Sequence, residues 1–183
     1  MRTLTRFQTA APASAARYVA KTALQCALIW PVFLFVLPAA LVAVEPYTGI
    51  DRFQFPAQSV VAGALFAGFS ALNVTTGGVL AVRGRGTPLP LDAPAELVRS
   101  GPYAYVRNPM AIAGLGQGLA VALWLGSWLV LAYVLAGAAV WQILLRPIEE
   151  DDMARRFGAA YAAYQRHVRC WWPRLRPYRV PPD

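Results

Sequence analysis

The stretch Asn108–Leu145, NPMAIAGLGQGLAVALWLGSWLVLAYVLAGAAVWQILL, runs for 38 residues without an Asp, Glu, Lys or Arg. Its part from Ala111 to Leu145 would be about 52 Å long as one straight helix, against a bilayer hydrocarbon core of about 30 Å. The run is therefore expected to turn back on itself, at Gly126-Ser127. Trp124 and Trp128 flank that turn, as in an aromatic belt, where an indole keeps its ring in lipid and its N–H near water. The first arm, Ala111–Trp124, reaches only about 21 Å, so its far end should stop below the headgroups and leave a recess at Arg107–Gly114.

Two further charge-free runs precede this one, Thr22–Val44 and Phe53–Val82, and the three together make up about half of the 183 residues. With 57% hydrophobic and 14% charged residues, the chain is neither a soluble globular domain nor a disordered one. The net charge of +8 invites a nucleic-acid partner, but its placement argues against one. Sixteen of the 17 basic residues fall in three alternate segments: four before the first run, four between Arg83 and Arg107, and eight from Arg146 to Arg179. If the third run doubles back, these segments share one face, which the positive-inside rule makes cytoplasmic, with anionic lipid headgroups as partner. The expectation is an all-α, multi-pass membrane protein with four transmembrane helices, the last two a hairpin, followed by an interfacial amphipathic helix. Both termini are expected in the cytoplasm.

Residues 1–21 lack acids and read as a disordered cytoplasmic tail rather than a cleaved leader. Residues 22–82 hold the first two spans, and 83–183 the connecting loop, the hairpin and the C-terminal helix. Pro31 and Pro38 should kink the first span, because each removes a backbone donor. In the second, Gly63, Ala67, Gly68, Ser70 and Ala71 suit close helix packing, while Asn73, Thr75 and Thr76 either bond between helices or line a cavity. The connection from Arg83 to Asn108 is long and rich in Gly and Pro, which points to function or disorder. Beyond Pro147, Glu149 to Asp152 suit the first turn of a helix, and Met153, Phe157, Tyr161, Tyr164 and Val168 share one of its faces. Cys26 lies in an apolar run and Cys170 in the basic tail, so no disulfide is expected.

One histidine, His167, and two distant cysteines do not make a metal shell or a catalytic triad, so no metal is expected. Gly114, Gly116 and Gly118 sit within an apolar helix with no strand before them, and read as a packing face rather than a nucleotide loop. What remains is a cluster in three parts: Gly101-Pro102-Tyr103-Ala104-Tyr105-Val106-Arg107-Asn108-Pro109-Met110, the pair Glu149-Glu150, and Phe157-Gly158-x-x-Tyr161-x-x-Tyr164. A hairpin between the first two would bring them to one mouth.

With Gly86-Thr87-Pro88-Leu89-Pro90-Leu91-Asp92-Ala93-Pro94, Leu97-Val98 and Gly126-Ser127, these motifs form an ordered set over about residues 80–173. The set resembles the isoprenylcysteine carboxyl methyltransferase and phospholipid methyltransferase superfamily. Its members are integral-membrane enzymes that transfer a methyl group from S-adenosylmethionine, and the resemblance implies that activity here. By position it implies a cofactor site at Arg107, Asn108, Pro109, Met110, Glu149 and Glu150. Asn108 stands where many members have His, Ala111 where Tyr is usual, and Ala113 where Gly is usual; Arg169 is shifted by one from the family's tail arginine.

The chemistry agrees. Glu149 or Glu150 would accept hydrogen bonds from the ribose hydroxyls or the amino group, Arg107 would meet the carboxylate, and Tyr103 or Tyr105 would pack on the adenine. Arg169 and Glu150 are the expected catalytic residues, Arg169 to hold a carboxylate acceptor and Glu150 to help deprotonate an amine. The acceptor is a lipophilic molecule or lipid that enters between the helices. Two rivals remain at this point: an NADPH-dependent reductase of the steroid-reductase type, and a non-catalytic membrane scaffold. A plain helix start with an interfacial salt-bridge network would also account for Glu149-Glu150.

Overall fold

A computed structural model describes residues 7–89 and 92–179. Residues 1–6 of the expected tail, and Pro90 and Leu91 of the connecting motif, lie outside the described residues. Among the described residues there are six α-helices: α1 (Ala15–Pro31), α2 (Leu37–Val44), α3 (Gln58–Arg83), α4 (Pro109–Leu125), α5 (Trp128–Val140) and α6 (Arg146–His167), the last bent at Gly158. No strand occurs among the described residues, only an isolated parallel bridge between Thr9 and Ala93.

Helices α1 and α2 are one continuous rod interrupted by a widened π turn at Val32–Val36. This turn follows Pro31 and precedes Pro38, the two residues without a backbone donor, so the ladder is disturbed where the sequence places it. A second π turn, Trp141–Leu145, joins α5 to α6. Three helical stretches are thus long and apolar enough to cross a membrane: Ala15–Tyr47, Gln58–Arg83 and Trp128–His167. Helix α4 is a shorter apolar helix of 17 residues, about 25 Å. Of the four expected spans, three are long helices, and α4 is short, as the length of the first hairpin arm requires.

The apolar run turns back where its length requires. Gly126 takes φ +62°, and Ser127 then caps α5 by accepting from Val130 N at 3.0 Å. The turn is tied down from outside: Phe53 N donates to the Gly126 carbonyl at 2.9 Å, and the Ser127 hydroxyl donates to the buried carboxylate of Glu45, which also pairs with Arg52 at 2.9 Å. Trp124 and Trp128 are exposed at this end, in keeping with the belt expected of them.

Helices α3 and α4 form the main seam. Asn73 donates to Gln117 at 3.1 Å and Gln117 to Ser70 at 2.8 Å, so Asn73 bonds between helices, whereas Thr75 and Thr76 donate to the Ala71 and Asn73 carbonyls of their own helix. The glycines of α4 are packing positions, with Gly114 against the Trp30 ring, Gly116 against Phe69 and Gly118 against Val134.

Two expectations are corrected. The tail foreseen over 1–21 is helical from Ala15, and residues 7–14 lie along the connecting segment, held by backbone bonds between Gln8, Ala10 and Ala93. The C-terminal helix does not start afresh: it continues α5 as far as Phe157 and bends at Gly158 (φ +47°), and its face of Met153, Phe157, Tyr161, Tyr164 and Val168 packs on Leu97 and Tyr178 of the same chain. Glu149 and Glu150 are consequently not at a free helix start, and the dipole argument for them lapses.

Gly126→Ala places a Cβ against the Phe53 carbonyl oxygen at a left-handed position and is expected to cost about 1–3 kcal/mol. Gly137→Ala, where nothing lies within 4 Å, serves as the control. Thermal unfolding in detergent should show a lowered midpoint for the first variant and none for the second.

Candidate functional site

The recess foreseen beside Arg107 is a cavity of about 330 Å³ between the start of α4, the first turns of α6 and the connecting segment. The doubling-back of α4 and α5 brings its two chemical halves together. Arg107 Nη1 lies 3.0 Å from Glu150 Oε1, and Asn108 Nδ2 donates to Glu149 Oε2 at 3.2 Å.

Each half is fixed locally. Asn108 caps α4, with its Oδ1 accepting from Ala111 N at 3.4 Å, so its amide can only turn the Nδ2 side toward Glu149. Pro109 is buried as the first residue of that helix, where a missing N–H costs nothing. Arg107 is held from behind, its backbone N donating to the Arg169 carbonyl at 3.0 Å. Glu150 also takes Arg146 Nε at 3.0 Å and Gln165 Nε2 at 3.1 Å, so the salt-bridge network foreseen as the plain reading is present. Above it, the Tyr164 hydroxyl donates to the Tyr103 carbonyl at 2.6 Å, and the C-terminal segment ties on through Arg174 N to Tyr105 O and Tyr178 N to Ala104 O.

That network leaves polar capacity unused. Arg107 Nε and Thr87 Oγ1 are buried without a partner, and both residues line the cavity. Native interiors rarely leave such groups unpaired unless something else meets them. The charge-free part of the last long helix ends at Leu145, and Glu149 lies a turn beyond it. Burial pushes its carboxyl up to about 7; the bond from Asn108 lowers it, and the negative neighbour Glu150 raises it. Burial also raises the Tyr103 hydroxyl above its ordinary range.

Of the residues singled out in the sequence, Tyr103, Arg107, Asn108, Met110, Glu149 and Glu150 line the cavity. Pro109 stands behind it, and Tyr105 is exposed and absent from its lining. The Arg169 side chain is also exposed and outside the lining, where its neighbour Cys170 stands instead. Trp30, Trp141, Arg156 and Phe7 are among the other wall residues and were not foreseen as site residues. Tyr161 and Tyr164, which also line it, carried a signal in their helical spacing after Glu150; Trp30 and Phe7 carried none.

Because the Glu149 carboxyl is raised in the folded protein, the native state holds a proton that the unfolded chain releases. Its contribution to stability is greatest below the unfolded value of about 4.5 and is lost as pH rises toward 7. Glu149→Gln, which keeps the acceptor for Asn108, should therefore gain stability over the parent between pH 5 and 8. Thermal midpoints in detergent across that range measure the widening difference.

No curated protein and no solved structure matches this chain. Residues 57–160, more than half of it, match the phospholipid methyltransferase family. That span takes in α3, the connecting segment, the hairpin, Arg107, Asn108 and both glutamates. With apolar helices of membrane length and the two halves of the recess joined across the hairpin, the chain belongs to the phospholipid methyltransferase family of membrane methyltransferases.

Proposed function

We propose that the protein transfers a methyl group from S-adenosylmethionine to a lipophilic acceptor at the cytoplasmic face of a membrane that its helices cross several times, both termini on that side. The observation that carries this reading is the unpartnered Arg107 Nε, beside a carboxylate pair in a cavity of ligand size. The donor set fits a zwitterion: Arg107 for a carboxylate, Glu149 and Glu150 for an ammonium or ribose hydroxyls, and Thr87 Oγ1 for a further polar contact. Aromatic rings of Trp30, Trp141 and Tyr161 in the same wall suit a cationic centre.

Bound S-adenosylmethionine supplies a methyl group already activated on its sulfonium sulfur. The chain's own task is then to hold donor and acceptor in line and to exclude water. Arg107 and Glu150 hold the polar end. Glu149, with its carboxyl at about 7, is poised to take a proton from an amine acceptor at neutral pH, a role sequence reasoning had given to Glu150. The Arg169 side chain is exposed and outside the cavity lining, and this step is assigned to Glu149.

A second cavity, of about 610 Å³, supports the lipophilic acceptor. Its lining, from Leu34 and Phe35 to Phe66 and Leu125, is apolar, and it lies between α2, α3 and α4. Leu34 is one helical turn from Trp30 of the polar cavity, so the two sites lie side by side along one rod.

S-adenosylhomocysteine should raise the thermal midpoint of the detergent-purified protein, and NADPH should not. Arg107→Ala and Glu150→Ala should abolish that shift while leaving expression and membrane insertion intact; unchanged shifts in both would refute the site. Since a cationic ligand favours ionised Glu149, affinity for S-adenosylmethionine should strengthen from pH 6 to 8 with proton release. The slope should be shallower for S-adenosylhomocysteine, which lacks the sulfonium charge. Titration calorimetry in two buffers of different ionisation enthalpy reads both quantities.

A further inference from the structure

The connecting segment that roofs the polar cavity is clamped on two sides. On the α6 side, Arg156 bonds to Asp152 at 2.6 Å and to the Pro94 carbonyl. On the other side the clamp is the N-terminal stretch 7–14, which precedes the family match and reaches the cavity wall only through Phe7. Ala93 N donates to Gln8 O at 2.8 Å, and Ala10 N donates to Ala93 O at 3.0 Å, so the stretch crosses the roof as a short parallel strap. Phe7, at the strap's end, lines the cavity.

The strap is anchored at its helix. The Tyr18 hydroxyl donates to Ala11 O at 2.7 Å, and Ala10, Tyr18 and Ala81 are buried together. One helical turn on, Lys21 Nζ bonds both carboxylate oxygens of Asp92 at 2.9 Å. Asp92 is the hinge of this arrangement. Its backbone carbonyl accepts from Thr87 N at 2.7 Å, and Thr87 is the roof residue whose buried hydroxyl is unpartnered.

We infer that Lys21 and Asp92 are positioning residues, whose ion pair pins the N-terminal strap across the roof and so holds Thr87 and Phe7 at the wall of the cavity. The chemistry of the pair fits a fastening of modest strength. Lys21 is 41% exposed and Asp92 22%, so solvent and salt weaken the bond without abolishing it. Beyond Phe7 and Gln8 the strap brings small side chains and a few backbone bonds, so the ion pair is a sizeable share of what holds it. Weakening it should loosen the roof without disturbing Arg107, Glu149 or Glu150, none of which bonds to either residue.

The inference rests on the cofactor reading only for its effect on ligand release, and the test separates the two. Lys21→Met, Asp92→Asn and the charge swap Lys21→Asp with Asp92→Lys are made in the full chain. In ligand-free protein, amide exchange at Ala10, Thr87 and Ala93 should quicken about two- to fivefold in each single variant, as expected for loss of one partly exposed pair. It should return toward the parent in the swap. Dissociation of S-adenosylhomocysteine should quicken by a similar factor in the single variants, and in the parent it should quicken with added salt, a dependence the single variants lose. Unchanged exchange and release in both single variants, or a swap that restores neither, overturns the strap. A general loss of stability would speed exchange along all helices, and that pattern also overturns it. If the parent binds no S-adenosylhomocysteine while the three amides behave as described, the strap stands and the cofactor reading falls.

Discussion

The turn at Gly126-Ser127 sets the level of everything that meets at the other end of the hairpin. From Pro109 to Leu125 the first arm rises about 25 Å, and from Trp128 to Leu145 the second rises about 27 Å, so the two arms end at nearly the same depth. Arg107 and Asn108 stand just before the first arm, and Glu149 and Glu150 one turn beyond the second. Their contacts at 3.0 and 3.2 Å therefore follow from arm length and not from the loop between them. The turn itself is held by Phe53 and Glu45, residues of the connection between the first two spans, which makes the far end of the bundle a support for the near end.

Within the site, one charge arrangement separates the two glutamates. Glu150 sits between the guanidinium groups of Arg107 and Arg146, each 3.0 Å away. Glu149 has only the neutral amide of Asn108 and a negative neighbour, so burial decides its protonation. An asparagine serves this better than its place in the family resemblance suggests. It caps α4 with one side of its amide and offers a donor that carries no charge with the other, which leaves Glu149 half protonated near neutrality. Two adjacent acids thus stand in different surroundings, Glu150 between two guanidinium groups and Glu149 beside a neutral amide.

Much of this was legible before any coordinates. Hydrocarbon thickness against run length gave the hairpin, and the Pro-Tyr-Arg-Asn sequence with Glu149-Glu150 gave both halves of the recess. What escaped reading had physical reasons. The continuity of α5 and α6 was hidden because Arg146-Pro147 looks like a helix start, yet a proline in the first turn after a π segment can be accommodated within one rod. The burial of Tyr161 and Tyr164 against Tyr103 and Tyr178 is a tertiary fact, for which helical spacing predicts a face but not its partner. Tyr105 and Arg169 were chosen by residue type and position; their backbone carbonyls accept from Arg174 N and Arg107 N, and their side chains are exposed. Residues 7–14 have neither periodicity nor charge, so nothing in them announced a partner at Ala93.

The division of the cavity walls between family-matched and unmatched parts of the chain carries a further consequence for selectivity. The polar groups, Arg107, Asn108, Glu149 and Glu150, all fall within residues 57–160. Trp30 and Phe7 fall before it and Cys170 after it, and these supply apolar wall. The rod of α1 and α2 also supplies Leu34, Phe35 and Pro38 to the second, wholly apolar cavity. On the reading proposed here, the matched region answers to the methyl donor, whose polar groups need fixed partners. The first helix answers to the acceptor's hydrocarbon, which needs only shape and exclusion of water. Gly114 ties the two together, because the Trp30 ring lies directly on it and a side chain there would push that ring out of both its packing and the cavity wall. On that reading, acceptor choice would vary through α1 while the proposed donor chemistry at Arg107 and Glu150 stayed the same.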